Sequence, residues 1–381
     1  MFLANNFEMG DEIFLFGYSR GAYTARAVAG LVSAIGLLKK GSLHHFHTLY
    51  GAFQNRKDDP VEFETLLSQL ESRHHWAPLT EVKIKVVGCW DTVGSLGLPE
   101  TRLGELFRRN NRHKFHDTQL SPSKSPRILC RWTTLSTHLS VIENAFHCLA
   151  LEEDRRSFRP SLWHLPQYKG QDAPPEAINN DAMPNAPKEV FPPPTLRQIW
   201  MVGVHADVGG SSRLAKIALA WMMDQCNGLL TFDKNYTAKM LTSKSPPALL
   251  KHVPWGPKSA TADFLARLER EIASFITRLP GSSCRTPGQY SEKGSEAARV
   301  CGDTNELIHP SVQDMLQQRP EWRPKALEGF ERVAVEDDSG QFKWVKTVSR
   351  GFSDKKIELL ELRVKGEWEE VASRHQRVED D

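Results

Sequence analysis

The residue types needed for nucleophilic catalysis occur in three polar segments of the chain. Ser19 stands at the centre of the pentapeptide Gly17-Tyr18-Ser19-Arg20-Gly21, Asp91 follows one apolar run, and His205 follows another. A serine hydroxyl is a poor nucleophile at neutral pH unless an imidazole removes its proton, and the imidazole needs a carboxylate that fixes its tautomer. These three residues therefore predict acyl transfer through a serine nucleophile.

The segment around Ser19 has the order strand, sharp turn, helix. The apolar run 13–16 predicts a buried strand, and residues 22–38, rich in Ala and Leu, predict a helix. A G-x-S-x-G sequence at such a junction is typical of a nucleophile elbow, in which small residues on both sides of the serine leave room for a strained turn. The pentapeptide alone is a weak signal, and the elements that flank it make it a specific one.

Asp91 and His205 each stand where a predicted buried strand ends. Residues 82–87 alternate and then turn apolar before Asp91, and residues 198–204 form a third apolar run before His205. Because parallel strands bring their carboxyl-end loops to one edge of a sheet, we expect both residues to converge on Ser19. The chain order Ser, Asp, His is that of the α/β-hydrolases. The pattern predicts an α/β fold, with a mostly parallel sheet flanked by helices.

Other roles for these residues are open at this point. Asp91 could instead cap the turn after its strand, since Asp-Thr is a common capping pair. His205 could be a hydrogen-bonded core histidine, and Asp207 could be the carboxylate that acts with it. The side chain of Arg20 is expected to be structural, whereas its backbone N–H, which follows the serine, is a natural donor to an oxyanion.

Composition excludes several classes of protein. Of the 381 residues, 40% are hydrophobic, which is enough for a sizeable core. The 49 basic residues nearly balance the 47 acidic ones, so a nucleic-acid partner is not expected. The six cysteines lack C-x-x-C spacing, the histidines lack metal-ligand spacing, and neither a G-x-G-x-x-G nor a Walker pattern occurs. We expect no metal, no cofactor and no disulfide.

The sequence also bears on location and partners. No charged-then-apolar signal segment follows Met1, and no run approaches the about 18 apolar residues of a membrane span. A cytoplasmic protein is therefore expected. No basic amphipathic helix stands out, so contact with a membrane surface would be transient, and nothing indicates an oligomeric state.

Several further elements can be predicted from local patterns. Residues 142–153 and 214–225 have helical periodicity, and residues 332–346 predict a β-hairpin. Residues 171–194 are crowded with Pro, Asn and Asp, which predicts a long loop. Loops of that length often shape a binding site, so the identity of the substrate cannot be derived without it.

Three long motifs resemble a known family. They are Gly10-Asp11-Glu12-Ile13-Phe14-Leu15-Phe16-Gly17-Tyr18-Ser19-Arg20-Gly21-Ala22-Tyr23-Thr24-Ala25-Arg26, Trp90-Asp91-Thr92-Val93-Gly94-Ser95-Leu96-Gly97 and Gly203-Val204-His205-Ala206-Asp207-Val208-Gly209-Gly210. They are similar to the α/β-hydrolase family typified by the catalytic domain of type VI secretion phospholipase effectors. The similarity continues through residues 214–225 and, as in fungal members, through 285–290 and 304–312.

This resemblance implies a function for the three polar segments. Ser19 would be the nucleophile, Asp91 the acid and His205 the base of a serine esterase. The substrates it implies are carboxylic esters, which in some members are the acyl esters of phospholipids. It also implies a catalytic core over residues 1–230 and a C-terminal family extension over 231–381. We expect that extension to be irregular, to pack on the core and to end in a disordered segment, 374–381.

Two features depart from the family pattern. Members of the family usually begin with a strand that ends in an Asp-Gly-Thr loop, well before the elbow, and this sequence has no such segment. We therefore expect an N-terminally incomplete sheet that lacks a second oxyanion donor. Residues 123–140 interrupt a continuous family segment and could be an insertion or a retained intron. The alternative to an active serine esterase is a truncated relative, weakly active or inactive, that acts as an interaction module or reflects an incomplete gene model.

Overall fold

An eight-stranded sheet organises the described part of the chain. The computed structural model describes residues 1–56, 59–72, 76–77, 82–93, 141–155, 158–165, 195–210, 212–243, 284–290, 304–336, 340–350, 353–363 and 365–377. The loop predicted over 171–194 and the insertion predicted over 123–140 lie outside these residues.

Ten strands occur in the described residues. They are β1 (Ile13–Tyr18), β2 (Leu37–Leu38), β3 (Trp76–Ala77), β4 (Ile84–Trp90), β5 (Ile142–Ala150), β6 (Thr195–Met201), β7 (Glu306–Ile308), β8 (Glu331–Ala334), β9 (Phe342–Arg350) and β10 (Ser353–Glu361). The large sheet has the order β1-β4-β5-β6-β7-β10-β9-β8. Its first six members are parallel, and β9 and β8 add an antiparallel end. The short strands β2 and β3 pair separately. The mostly parallel sheet predicted from the sequence is confirmed.

Helices flank this sheet. They are α1 (Phe2–Asn6), α2 (Arg20–Ile35), α3 (Phe46–Asn55), α4 (Pro60–Ser72), α5 (His205–Gly209), α6 (Arg213–Gln225), α7 (Lys234–Thr242), α8 (Ser311–Gln318) and α9 (Glu367–Arg377), with short 3-10 helices at Lys40–His45 and Lys325–Leu327. The helices predicted over 22–38 and 214–225 correspond to α2 and α6. None of the helices in the described ranges combines the length and the apolar character needed to cross a membrane.

The helices α2 and α6 cover opposite faces of the parallel strands. On one face, Ala22 and Val32 of α2 share a core cluster with Val87 of β4. On the other, Trp221 and Met222 of α6 share a cluster with Val86 of the same strand. Because successive residues of a strand point to opposite faces, the sheet is sandwiched between the two helices. This packing holds the start of α2 at the carboxyl end of β1.

The helix predicted over residues 142–153 is wrong, because Ile142–Ala150 is the strand β5. β5 lies between β4 and β6, and its residues from Ala145 to Ala150 are all buried. An inner parallel strand is covered on both faces and therefore shows no alternation of polar and apolar residues. Ala145 and Leu149 then happen to have the spacing of one helix face. The strand rather than a helix carries the chain to the edge where Asp91 and His205 lie.

The described residues after 230 contain more regular structure than the sequence predicts. The hairpin predicted over 332–346 is confirmed by the antiparallel pairing of β8 with β9. β7 pairs with β6 and β10 pairs with β7, so these strands extend the same sheet, where the sequence predicts an irregular extension. β7 is only three residues long, too short to show a period in the sequence. The helix α9 continues to Arg377, so residues 374–377 of the predicted disordered end are helical, and residues 378–381 lie outside the described ranges.

Candidate active site

Ser19 occupies a sharp turn between β1 and α2. It has φ 57° and ψ −120°, a conformation that costs a residue with a side chain on the order of 1–3 kcal/mol. Its backbone N–H donates to the carbonyl oxygen of Trp90 (2.9 Å), and its carbonyl oxygen accepts from the N–H of Tyr23 (3.2 Å). These bonds to the neighbouring strand and to the first turn of α2 hold the strained residue. The side chain is thereby fixed at the carboxyl edge of the sheet.

The two glycines of the pentapeptide are not equivalent. A Cβ atom on Gly17 would lie 2.4 Å from the carbonyl oxygen of Gly21, a distance that real Cβ atoms do not adopt. A Cβ atom on Gly21 would meet no atom within 4 Å outside the neighbouring backbone of its own helix. The close approach of strand and helix therefore requires a glycine before the serine. The expectation of small residues on both sides holds sterically for the first position only.

Asp91 follows β4 and is completely buried. Its Oδ1 accepts from the backbone N–H of Ala150 in the neighbouring strand (3.1 Å), and its Oδ2 lies 2.6 Å from Nδ1 of His205. Its own N–H donates to the carbonyl oxygen of Cys148 (2.7 Å). The carboxylate therefore points across the sheet edge to the histidine instead of capping the turn that follows its own strand.

His205 is the first residue of α5 and follows the end of β6 after a short connection, residues 202–204. Its Nε2 is 2.8 Å from Oγ of Ser19, so the serine, histidine and aspartate side chains form one continuous hydrogen-bonded chain. The imidazole packs against the rings of Tyr18 and Phe158, with centroid distances of 4.8 and 4.7 Å. The Tyr18 hydroxyl donates to the His205 carbonyl oxygen (3.2 Å). Ring and backbone contacts together fix the orientation of the imidazole.

Asp207 and Arg20 lie close to this chain but make different contacts. Oδ2 of Asp207 accepts from the backbone N–H of Val204 (3.0 Å), so this carboxylate closes the first turn of α5, and it is Asp91 that contacts the imidazole. Arg20 is the first residue of α2, and its side chain is exposed. A backbone N–H at that position has no acceptor within its helix and lies at the positive end of the helix dipole. The N–H of Arg20 can therefore donate to an anion beside Ser19.

Charges around the site favour an ionised acid and a neutral tyrosine. Burial alone raises the pKa of Asp91, but the Arg285 guanidinium and the hydrogen bond with His205 outweigh burial and hold this pKa below its ordinary value. Burial, together with the charge of Asp91, raises the pKa of Tyr18 to about 12. Asp91 is therefore a carboxylate at neutral pH, and Tyr18 keeps the proton that it donates to the histidine backbone.

The described part of the chain offers no thiolate or metal cluster beside Ser19. Burial raises the pKa of the Cys89 thiol, two residues before Asp91, to about 12. The thiol of Cys148 is also buried, and burial raises its pKa well above the ordinary value. No group of three or more His, Cys, Asp or Glu residues in the described ranges is arranged to hold a metal ion.

Three residues of this site were not predicted from the sequence. Glu152 and Glu153 follow β5 and accept the backbone N–H groups of Gly203 and His205 at 2.8 and 3.2 Å. The sequence predicts a helix where β5 lies, and only a strand ending at residue 150 brings these two acids to the edge of the sheet that carries Ser19. Arg285 binds both carboxylate oxygens of Asp91. Its segment is part of the family resemblance, but a side-chain contact across such a sequence separation leaves no local pattern.

Comparison with known proteins identifies the family. The family model described as "T6SS, Phospholipase effector Tle1-like, catalytic domain" matches residues 1–225, more than half of the chain. The "Uncharacterized protein YEL023C" of Saccharomyces cerevisiae is 28% identical over 163 residues, which are 42% of this chain and 20% of the yeast protein. The chain therefore spans about one fifth of the length of that relative. No solved structure matches the chain significantly. The chain belongs to the family of Tle1-like phospholipase effector catalytic domains.

Proposed function

We propose that this protein is a serine hydrolase that cleaves carboxylic esters through Ser19, His205 and Asp91. The observation that carries the proposal is the hydrogen-bonded chain from Oγ of Ser19 through the imidazole to Oδ2 of Asp91, with contacts of 2.8 and 2.6 Å. Membership in a phospholipase family is consistent with it. The strained turn at Ser19 adds support, because nucleophile elbows present their serine in this way.

The first half of the proposed reaction forms an acyl-enzyme. Nδ1 of His205 carries a proton that is hydrogen-bonded to the Asp91 carboxylate and stays on the nitrogen, which leaves Nε2 free to accept the proton of the Ser19 hydroxyl. Oγ bonds to the ester carbonyl carbon, and the carbonyl oxygen becomes an oxyanion that the backbone N–H of Arg20 can stabilise. When the tetrahedral intermediate collapses, the carbon–oxygen bond to the leaving alcohol breaks. The alkoxide takes the proton from Nε2 and departs as the alcohol.

The second half restores the serine. A water molecule gives a proton to Nε2 of His205, and its oxygen bonds to the acyl carbon. The bond from that carbon to Oγ of Ser19 then breaks, and Oγ takes the proton back from Nε2. The products are the carboxylic acid and free enzyme. Throughout, Asp91 remains ionised and stabilises the imidazolium form of the histidine.

The proposed substrates are lipid acyl esters, and phospholipids are the first class to test. This part of the proposal rests on the family description, because the contacts of the site define the reacting bond and not the leaving group. Such substrates lie in a lipid surface, so we propose transient contact with membranes. Release of fatty acid from phosphatidylcholine in mixed micelles by wild type but not by Ser19→Ala would support the lipid class. Hydrolysis of short p-nitrophenyl esters without any release from lipid would contradict it.

In this proposal residues 1–230 are the catalytic core, and residues 231–381 pack on it and complete it. Two contacts support this arrangement: the pairing of β7 with β6, and the binding of Arg285 to Asp91. A chain ended at residue 230 would lose both. Assays of the proposed activity therefore need the full chain.

A fluorophosphonate probe tests the proposed nucleophile directly. Wild type should be labelled at Ser19, and Ser19→Ala should not be labelled. Ser33→Ala is a matched control, because Ser33 lies in α2, the helix that follows Ser19, and its buried hydroxyl has no hydrogen-bond partner among the described residues. It should be labelled like wild type. Folded wild-type protein that resists the probe and hydrolyses no ester would contradict the proposal.

A further inference from the structure

Arg285 contacts the far side of the proposed acid. It is 3% exposed, and its Nη1 and Nη2 donate to Oδ1 and Oδ2 of Asp91 at 3.2 and 2.9 Å. A guanidinium that binds both oxygens fixes the plane of a carboxylate as well as its charge. The carboxylate plane in turn sets the direction in which Oδ2 meets His205. The described hydrogen bonds of the Arg285 side chain go to Asp91 and not to Ser19 or His205. Any influence of Arg285 on those two residues therefore passes through Asp91.

The segment that carries Arg285 is anchored to the sheet and not merely placed beside it. The ring of Tyr290 stacks on Trp200 of β6, with centroids 5.9 Å apart and planes at 22°. The hydroxyl of Tyr290 accepts from the backbone N–H of Thr286 (3.2 Å). The N–H of Gly288 donates to Oε2 of Glu306 in β7 (2.8 Å). These contacts hold the backbone on both sides of the turn that follows Arg285.

We propose that Arg285 is a positioning residue of the reaction: it orients the Asp91 carboxylate toward His205, and its charge disfavours protonation of the Asp91–His205 pair. The kinetic test of this inference rests on the proposed function, because it needs ester hydrolysis. The electrostatic test does not, because it follows the protonation of the Asp91–His205 pair directly.

The sign of the effect follows from charge. Protonation converts the pair from an anion to a neutral species, and a neighbouring cation disfavours that step. Loss of this charge should therefore favour protonation and move the acid limb of kcat/KM to higher pH. Other ionisable groups packed around the pair are Tyr18 in β1, His147 and Cys148 in β5, Glu153 and Arg155 after β5, and Asp207 in α5. None of them changes in the variants below.

Two substitutions in the full chain separate charge from geometry. Arg285→Gln removes the charge and keeps a hydrogen-bond donor, and Arg285→Lys keeps the charge and loses the bidentate contact. Arg332→Gln is the matched control, because Arg332 binds both carboxylate oxygens of Glu361 (2.7 and 2.9 Å) on β8 and β10, at the other end of the sheet from Ser19. The measurements are the pH profile of kcat/KM on a p-nitrophenyl ester, kcat and KM separately, and the imidazole titration of His205 by NMR in a Ser19→Ala background.

We expect Arg285→Gln to raise the midpoint of the acid limb and of the imidazole titration by about 1 pH unit or more. Arg285→Lys should leave both midpoints near wild type and lower kcat about tenfold at little change in KM, because the acid is misaligned. Arg332→Gln should change neither. Unchanged midpoints in folded Arg285→Gln, or wild-type kcat in Arg285→Lys, would overturn the inference. If Arg285→Gln does not fold, the kcat of Arg285→Lys decides.

The two proposals can fail separately. If wild type hydrolyses no ester, the proposed function fails, and the NMR titration still reports whether Arg285 controls the pair. If wild type is active and the His205 titration is the same with and without the Arg285 charge, only the inference about Arg285 fails.

Discussion

The backbone N–H of His205, at the start of α5, donates to Oε2 of Glu153, which lies in the segment after β5 (3.2 Å). The carboxylate of Glu153 is itself held by Arg155, with Nε and Nη2 contacts of 2.7 and 2.8 Å. Burial raises the pKa of Glu153, but the hydrogen bonds from Arg155 more than offset this and lower it. An ionised and oriented acceptor therefore fixes the backbone of the proposed base, just as the Tyr18 and Phe158 rings fix its imidazole.

Replacement of Glu153 by Ala should impair the reaction more than substrate binding. The N–H of His205 would lose its acceptor, and the imidazole would lose its alignment with Ser19. Misplacement of this kind costs about 10- to 100-fold in kcat. Steady-state kinetics on a p-nitrophenyl ester provide the measurement. Glu358→Ala removes a carboxylate of β10 that pairs with Lys343 and Lys356, and this variant should retain wild-type kcat. An equal loss in both variants would show that Glu153 acts only through general stability.

The two candidate acids can be distinguished by a pair of amide substitutions. Asp91→Asn should lower kcat by about 1000- to 10000-fold, because an amide can donate to Nδ1 and so favour the wrong imidazole tautomer. Asp207→Asn should have little effect, because the amide oxygen can still accept from the N–H of Val204. Rates of fluorophosphonate labelling report the difference without a known substrate. A larger loss in Asp207→Asn than in Asp91→Asn would reverse the assignment.

The elbow makes a steric prediction about its two glycines. Gly17→Ala should abolish labelling or folding, because its Cβ would have to lie 2.4 Å from the Gly21 carbonyl oxygen. Gly21→Ala should be labelled like wild type and should be stabilised by about 0.5–1 kcal/mol, since alanine is the better helix former. Labelling and thermal unfolding of both variants provide the comparison. Normal labelling of Gly17→Ala would mean that the strand and helix are further apart than described.

Elements whose sequence pattern is local could be predicted, and those that depend on distant partners could not. The strands before Ser19, Asp91 and His205 are short apolar runs that end in polar residues, so both their type and their common edge follow from the sequence. β5 is buried on both faces, so its sequence lacks the alternation that distinguishes a strand from a helix. Without knowing that β5 is a strand, the contact of Glu153 with His205 cannot be predicted.

The contribution of the C-terminal part shows the same limit. β10 carries two Lys, two Glu and one Asp among its nine residues, and β7 is three residues long, so neither has the apolar pattern of an inner strand. Their place in the sheet is set by pairing with β6 and with each other. Arg285 reaches Asp91 only because this pairing brings its segment to the site. A local pattern cannot report an ion pair between residues so far apart in the chain.

Glu306 connects the C-terminal strands with the segment of Arg285, which leads to a last prediction. Its Oε2 accepts from the Gly288 backbone and from Nε1 of Trp200, each at 2.8 Å. Glu306→Ala removes the acceptor of both donors, and a buried donor without an acceptor costs about 1–3 kcal/mol of unfolding free energy. The segment should also loosen, so labelling of Ser19 should slow beyond what the loss of folded protein explains.

The matched control for this substitution is Glu361→Ala. Glu361 is a carboxylate of β10 that accepts from the indole N–H of Trp344 (3.0 Å) and binds Arg332, with no contact to the segment of Arg285 among its described hydrogen bonds. The Glu361 variant should lose a comparable free energy of unfolding, but Ser19 should be labelled at the wild-type rate per folded molecule. Chemical denaturation and labelling kinetics measure the two quantities separately. If both variants slow labelling equally, the C-terminal strands support the sheet as a whole and do not act on the site through Arg285.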